Sequence, residues 1–333
     1  MGDTDSIEPN EPLESQWGSL IGFAERYRNL GYGTLADKLR TGGPPPPPVL
    51  GTPLIHDTDI GGDPDDAIAL TCAARNLPEL ALVLTTDEHR GGDRARLARH
   101  LLDLNGRPDV PVVAGAELGN SRYWVADGLT PAHVPAQHTD VLAAVHAVCS
   151  RVETPVRWLG TGPMTNLSHV LRHSPELASR LAITQMGGAI DHPDPARVEH
   201  NFRLDPDAAR HVVATAQRLL LVTAEVTFRA ETAVTADSEL VQYLTAPHAP
   251  AWAALLGTHL ERWFTDMHPA SMQHDPLALS AALQLPFVDF TRATITVDSD
   301  ARIRPDTDGH PTWLTTRADY PAFWAWLTKQ LHY

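Results

Sequence analysis

From about residue 49 onward, short apolar runs alternate with amphipathic ones, and this alternation constrains the fold more than any other feature of the chain. Strand-like runs rich in Leu, Val and Ile fall at 54–57, 80–85, 110–114, 156–159, 183–186 and 219–223. Helical runs separate them at 64–74, 94–104, 141–148, 164–171 and 206–216. Strands that alternate with helices need crossover connections, and crossovers build a mostly parallel sheet covered on both faces. The expected fold class is therefore α/β, a doubly wound sheet. Residues 233–270 read as a mainly helical insertion over the carboxyl end of that sheet, with Trp252, Leu256 and Trp263 as apolar anchors. A late helix near Pro276, a short strand at 293–297 and a helix at 320–331 complete the main domain, 49–333. Residues 1–48 read as an N-terminal extension that ends in Gly42-Gly43 and a stiff polyproline II run, Pro44 to Pro48.

The chain has 333 residues and carries 26 basic against 41 acidic side chains, a net charge of −15. That balance argues against nucleic acid or an anionic membrane as partner, since both need a basic face. Lys38 and Lys329 are the only lysines, so the central region offers no Schiff-base or phosphate-loop lysine. Cys72 and Cys149 lie in helical runs and read as buried, reduced thiols. The acidic amino terminus lacks the pattern of a signal peptide and no apolar run spans a bilayer, so a cytoplasmic protein is expected.

The densest chemistry lies at the first strand-to-helix turn. Asp57, Asp59, Asp63, Asp65 and Asp66 put five carboxylates in ten positions. Three of these have a plain structural reading: Asp63 as a cap before Pro64, and Asp65 and Asp66 at the positive end of the helix dipole. Asp57 and Asp59 are left without one. Carboxylates this crowded repel each other, and the end of a strand in an α/β sheet is where ligands gather. The reading is an oxygen-ligand site for a hard divalent cation, with Ca2+ the expected ion. An EF-hand is excluded because its twelfth position is Ile68 rather than Glu and a helix begins inside the loop. Zinc would want His and Cys at close spacing. Asp57-Thr58-Asp59 also imitates the nucleophile motif of aspartate-dependent, Mg2+-using phosphohydrolases, a reading weakened by the missing lysine.

Four further motifs follow in order: Gly160-Thr161-Gly162-Pro163-Met164-Thr165-Asn166, Met186-Gly187-Gly188, Glu199-His200-Asn201 before Asp205-Pro206, and His274-Asp275-Pro276. In this order the chain resembles the inosine-uridine-preferring nucleoside hydrolase family, from about Pro53 to the carboxyl terminus. The resemblance implies a doubly wound α/β domain, Ca2+ dependence, hydrolysis of the N-glycosidic bond of a ribonucleoside, and a homodimer or homotetramer. It also implies roles. Asp59, Asp66, Asp275 and the Thr161 carbonyl match the metal ligands, and Asp59 also matches the base that deprotonates water. Asp65, Glu199 and Asn201 match groups on the ribose, Met186 a residue lining its pocket, and His274 a histidine beside the leaving base.

The chain departs from the family pattern in three places, one of them His200, where the family often has an aromatic residue between Glu199 and Asn201. Gly62-Asp63 or a similar two-residue insertion lengthens the acid loop, so in another register Asp63 takes the role of one of the terminal pair. After Thr85-Thr86 the family usually has Gly-Asn near the sugar; here Asp87-Glu88-His89-Arg90 follows, and the candidates to replace the asparagine are Asp87, Glu88 and His89, the alternative being a pocket for a different sugar. That change keeps open a non-catalytic nucleoside- or sugar-binding relative. Trp124, Arg229, Trp263, Phe264 and His268 are candidates to contact the base.

Overall fold

The computed structural model describes residues 13–30, 33–42, 49–120 and 122–332. Helices α1 (Leu13–Arg26) and α2 (Gly33–Gly42) precede the main domain, and the polyproline run lies outside the described residues. The domain proper then runs β1 (Leu54–Thr58), α3 (Asp65–Asn76), β2 (Leu80–Thr85), α4 (Asp93–Leu104), β3 (Val112–Ala114), α5 (Val141–Cys149), β4 (Val156–Gly160), α6 (Thr165–His173) and β5 (Leu181–Met186). It continues with α7 (His200–Leu204), α8 (Pro206–Thr215), β6 (Leu219–Val222), α9 (Ala224–Thr227), β7 (Ala233–Thr235), α10 (Glu239–Leu244), α11 (Ala251–Asp266) and β8 (Ala270–Met272). The last elements are α12 (His274–Ala282), β9 (Val288–Val297), β10 (Ile303–Pro305), β11 (His310–Ala318) and α13 (Tyr320–Leu331).

Nine strands form one sheet in the order β10-β9-β11-β6-β5-β4-β1-β2-β3. Pairing is parallel from β3 across to β11 and antiparallel among β11, β9 and β10. Alternate strand residues feed opposite cores, as the period of two demands. Leu54, Val83 and Leu159 pack with α3, α4 and α12, whereas Ile55, Leu82 and Trp158 pack with α5, α6 and α8. Helices on both faces make the sheet doubly wound, as the alternation predicts. The chain winds outward from β1 to β3 and then crosses back to β4, so β1 and β4 flank the topological switch point where such sheets open a crevice.

The insertion is mainly helical, as expected, and β7 and β8 pair antiparallel to clip its two ends together, Ala233 opposite Met272. One expectation needs correction. The carboxyl-terminal strand is longer than expected and is joined by β10 and β11, which the sequence reading missed. β11 carries Pro311 near its start and follows Asp308-Gly309, punctuation that reads as loop. Pairing with β9 and β6 overrides those local signals.

Cys72 and Cys149 are both free and buried. Among the described residues, no helix is long and apolar enough to cross a membrane.

Candidate active site

The acid loop leaves β1 at the switch point and turns sharply into α3. Gly61 makes the turn possible: its φ is +111°, and a Cβ there would come within 2.3 Å of the Trp124 ring. Across the crevice, the loop after β4 comes equally close, since a Cβ on Gly162 would meet Thr86 at 2.5 Å and Asp59 at 3.0 Å. Four successive carbonyls of the acid loop are held from outside it. Arg94 Nη1 donates to the carbonyl of Asp59 and, at 2.9 Å, to that of Ile60. The Val125 amide donates to Gly61 at 3.0 Å, and His259 Nε2 lies 3.0 Å from the Gly62 carbonyl.

Asp65, Asp66 and Asp275 converge: each offers a carboxylate oxygen within 4.8 Å of the others, and all three are buried. Asp65 and Asp66 come from the first turn of α3 and Asp275 from the first turn of α12, so two helix amino termini aim at the cluster. The Asp275 amide donates to Asp65 Oδ2 at 3.2 Å. Asp66 Oδ1 accepts from Thr161 Oγ1 at 2.9 Å and from Thr58 Oγ1. Asp59 is half-buried and stands outside this tight trio, but its charge acts on both Asp65 and Asp275.

Burial, followed by mutual repulsion, pushes the carboxyls of Asp59, Asp65 and Asp275 well above the usual range. Burial also raises Asp66, against the hydroxyls that lower it. A set of buried oxygen donors that cannot all ionise alone suits a hard divalent cation, whose charge reverses that penalty. The donor set therefore fits the metal that the resemblance implies.

The expected sugar-side residues join the cluster through the Thr161 carbonyl, which accepts from Asn201 Nδ2 at 2.8 Å. A carbonyl has two lone pairs, so one is left for another partner. Asn201 Nδ2 also lies 3.2 Å from the Met186 carbonyl, at the end of β5, and 3.5 Å from its sulfur. Glu199 caps α7, and its carboxylate accepts from the amides of Gly188, Asn201 and Phe202 at 2.8–3.0 Å. His274 stands beside Asp275, its ring parallel to Phe228 with centroids 6.1 Å apart. Burial and then the neighbouring His200 push the His274 ring down to about 4, and its buried Nδ1 has no partner among the described residues.

Glu88 does not join this group, and Asp87 reaches it as a neighbouring charge that raises Asp59. Glu88 serves the start of α4: its carboxylate accepts from Thr85 Oγ1 and from the amides of His89, Arg94 and Ala95. Asp87, with φ at +49°, pairs with the buried guanidinium of Arg94 at 3.3 Å and accepts from Asn120. Neither carboxylate is free to replace the family's asparagine. Of the base candidates, Trp124 wedges against Gly61, with the His89 ring 4.7 Å away and the Arg94 guanidinium over its face. Trp263 donates its ring N–H to Ala270 at 2.9 Å, His268 lies against Trp263, and Arg229 is within 3.8 Å of Glu231.

Sequence reasoning missed Thr58 and Thr161 as hydroxyl donors to Asp66, and Asn166, whose amide holds Asp57 at 2.9 Å. It also missed Arg94, His259 and Phe228. The threonines carried a signal, since each interrupts or follows an acidic or glycine-rich motif at a strand end. Asn166 stood in the glycine-rich motif after β4 with no role assigned to it, and Arg94, His259 and Phe228 carried no signal, because their partners are distant in the chain.

The model of the family described as inosine-uridine preferring nucleoside hydrolase matches residues 54–325. The chain is 31% identical over 259 residues to a pyrimidine-specific ribonucleoside hydrolase RihA of Enterobacter sp. (strain 638), covering 71% of this chain and 80% of the relative. A protein of the same name from Escherichia coli O81 (strain ED1a) is 30% identical over 228 residues, covering 64% of this chain and 72% of its own. Among solved structures, a plant nucleoside hydrolase superposes with a TM-score of 0.68 at 21% identity, over 84% of this chain and 98% of that one. The inosine-uridine preferring nucleoside hydrolase of Bacillus anthracis gives 0.66 at 18% identity, over the same shares, 84% and 98%.

Proposed function

Since the chain belongs to the inosine-uridine-preferring nucleoside hydrolase family, and so is a nucleoside N-glycosidase, we propose that it uses Ca2+ at the acid cluster to hydrolyse a ribonucleoside to free base and sugar. The observation that carries this reading is the convergence of Asp65, Asp66 and Asp275, from helices over two hundred residues apart, at the switch point of the sheet.

In this proposal Asp59, Asp66, Asp275 and the Thr161 carbonyl hold the ion, with Asp65 close enough to share it. A bound divalent cation would acidify water and orient the sugar diol. Asp59, less buried than the trio and pushed toward higher pKa, takes the proton from the attacking water. Asp65 accepts a sugar hydroxyl, and Glu199 and Asn201 grip the ring beside Met186. The ring of carboxylates favours the positive charge that develops as the glycosidic bond stretches. His274, held neutral by burial, offers the departing base a hydrogen bond rather than a full proton.

The phosphohydrolase alternative asks Asp57 to attack phosphorus. That carboxyl is 2% exposed, is bound by Asn166, and is pushed by burial to about 7, so it makes a poor nucleophile. A homodimeric or homotetrameric state and a cytoplasmic location belong to the same proposal, as does the division into an extension at 1–48 and a hydrolase domain at 49–333. The test is purified protein with uridine, inosine and a phosphate ester, each with Ca2+, Mg2+ or chelator. Free sugar released with Ca2+ supports the reading. Inorganic phosphate without free sugar overturns it, and tight nucleoside binding without release points to the non-catalytic relative.

A further inference from the structure

Gly62 and Asp63, in the stretch of the acid loop that reads as longer than the family pattern, have partners of their own. The Gly62 carbonyl faces His259 Nε2 at 3.0 Å, and an Asp63 carboxylate oxygen accepts from Ser271 Oγ. His259 lies in α11 and Ser271 in β8, so both partners come from the insertion that roofs the sheet, and both are fully buried. A carbonyl only accepts, so Nε2 carries the proton; burial keeps the ring neutral, and Nδ1 has no hydrogen-bond partner among the described residues. α11 braces the same region at neighbouring positions. Arg262 donates to the carbonyls of Val125 and Asp127, and the Trp263 ring lies 6.3 Å from that of Tyr123, whose backbone borders Gly62.

These contacts differ in origin. Arg94 of α4 and Val125 of the loop after β3 hold the first three carbonyls of the loop, and the insertion reaches the end of it through His259, at Gly62 and beside Gly61. The next acids along the chain are Asp63, Asp65 and Asp66. The hydrogen bond at Gly62 therefore sits between the half of the loop that carries Asp59 and the half that enters α3.

We propose that His259 is a positioning residue: through its N–H to the Gly62 carbonyl it sets the spacing between Asp59 and the Asp65–Asp66 pair, and so couples the insertion to the acid cluster. This rests on the functional reading above. A residue that orients a ligand set from behind changes metal affinity by about 10–100-fold when removed.

The test compares wild type with His259→Leu, His259→Gln and His259→Asn in the full chain. Ca2+ binding is measured by calorimetry, and kcat and KM are measured with uridine and inosine. Gln places an N–H near the position of Nε2; Asn is too short to reach. The leucine and asparagine variants are expected to bind Ca2+ about tenfold more weakly and to lose kcat more than they raise KM, with glutamine restoring most of both. A leucine variant that binds Ca2+ and turns over like wild type overturns the proposal. So does a folded glutamine variant no better than asparagine, a comparison that still decides if leucine fails to fold. Wild-type protein that releases no sugar overturns the functional reading instead, and the link to the loop is then still read from Ca2+ binding.

Discussion

Asp59 and Thr161 do separable work at the level of single side chains. If Asp59 is the base, as proposed, Asp59→Asn removes it while keeping the shape of the side chain, so kcat is expected to fall by about 10²–10⁴-fold while the circular dichroism spectrum stays that of wild type. A wild-type rate from that variant would mean that another group takes the proton. Thr161→Val removes a hydroxyl that holds Asp66 at 2.9 Å and approaches His56 at 3.2 Å, while keeping the backbone carbonyl. It is expected to weaken Ca2+ binding about 10–100-fold, measured by titration calorimetry, because a ligand oxygen loses its orienting partner. Unchanged affinity would show that Thr58 alone orients Asp66.

At the scale of the element, α4 shows what a motif can conceal. Asp87 and Glu88 sit where the family carries a sugar-contacting asparagine, and the sequence invites a substrate role for both. The structure turns them inward, Glu88 onto the first amides of α4 and Asp87 onto Arg94. Glu88→Ala is therefore expected to cost about 1–3 kcal/mol of stability, read by urea denaturation, with KM for nucleoside little changed. A large rise in KM at unaltered stability would return Glu88 to the substrate. The parallel strands and their helices were legible because each buries a periodic face locally. The acid cluster was legible because like charges crowd within one turn. Arg94, His259 and Asn166 were not, since each acts on a backbone or carboxyl group brought near only by the tertiary fold. β11 was hidden for the complementary reason: Pro311 and Asp308-Gly309 speak for a loop, and only long-range pairing makes it a strand.

Over the whole molecule, the acid cluster ties stability to pH. Burial raises Asp57 to about 7 and Asp63 to about 8, from an ordinary 3.8. These two carboxyls bind more protons in the folded state than in the unfolded chain, whereas the buried rings of His56, pushed from 6.5 to about 3, and of His200, His259 and His274, pushed to about 4, bind fewer below pH 6.5. Above that point the carboxyls set the sign, so stability falls as pH rises from about 6.5 to 8. Chelated protein is expected to melt at a lower temperature at pH 8 than at pH 6.5, and saturating Ca2+ is expected to raise Tm more at pH 8. A chelated protein whose Tm climbs from pH 6.5 to pH 8 would contradict the assignment. The extension packs through α2 against β9, on the far side of the sheet order from the β1–β4 switch point. Removing residues 1–48 is expected to leave kcat within about twofold of the full chain.

The three converging carboxylates join segments 210 positions apart in the chain, from Asp65 to Asp275. No nascent or half-collapsed chain has both halves of that grip in hand, so an ion captured there stabilises an arrangement completed late in folding. Calcium should accordingly act as a brake on escape from the native state, slowing the unfolding limb of a chevron while leaving the refolding limb nearly where it was.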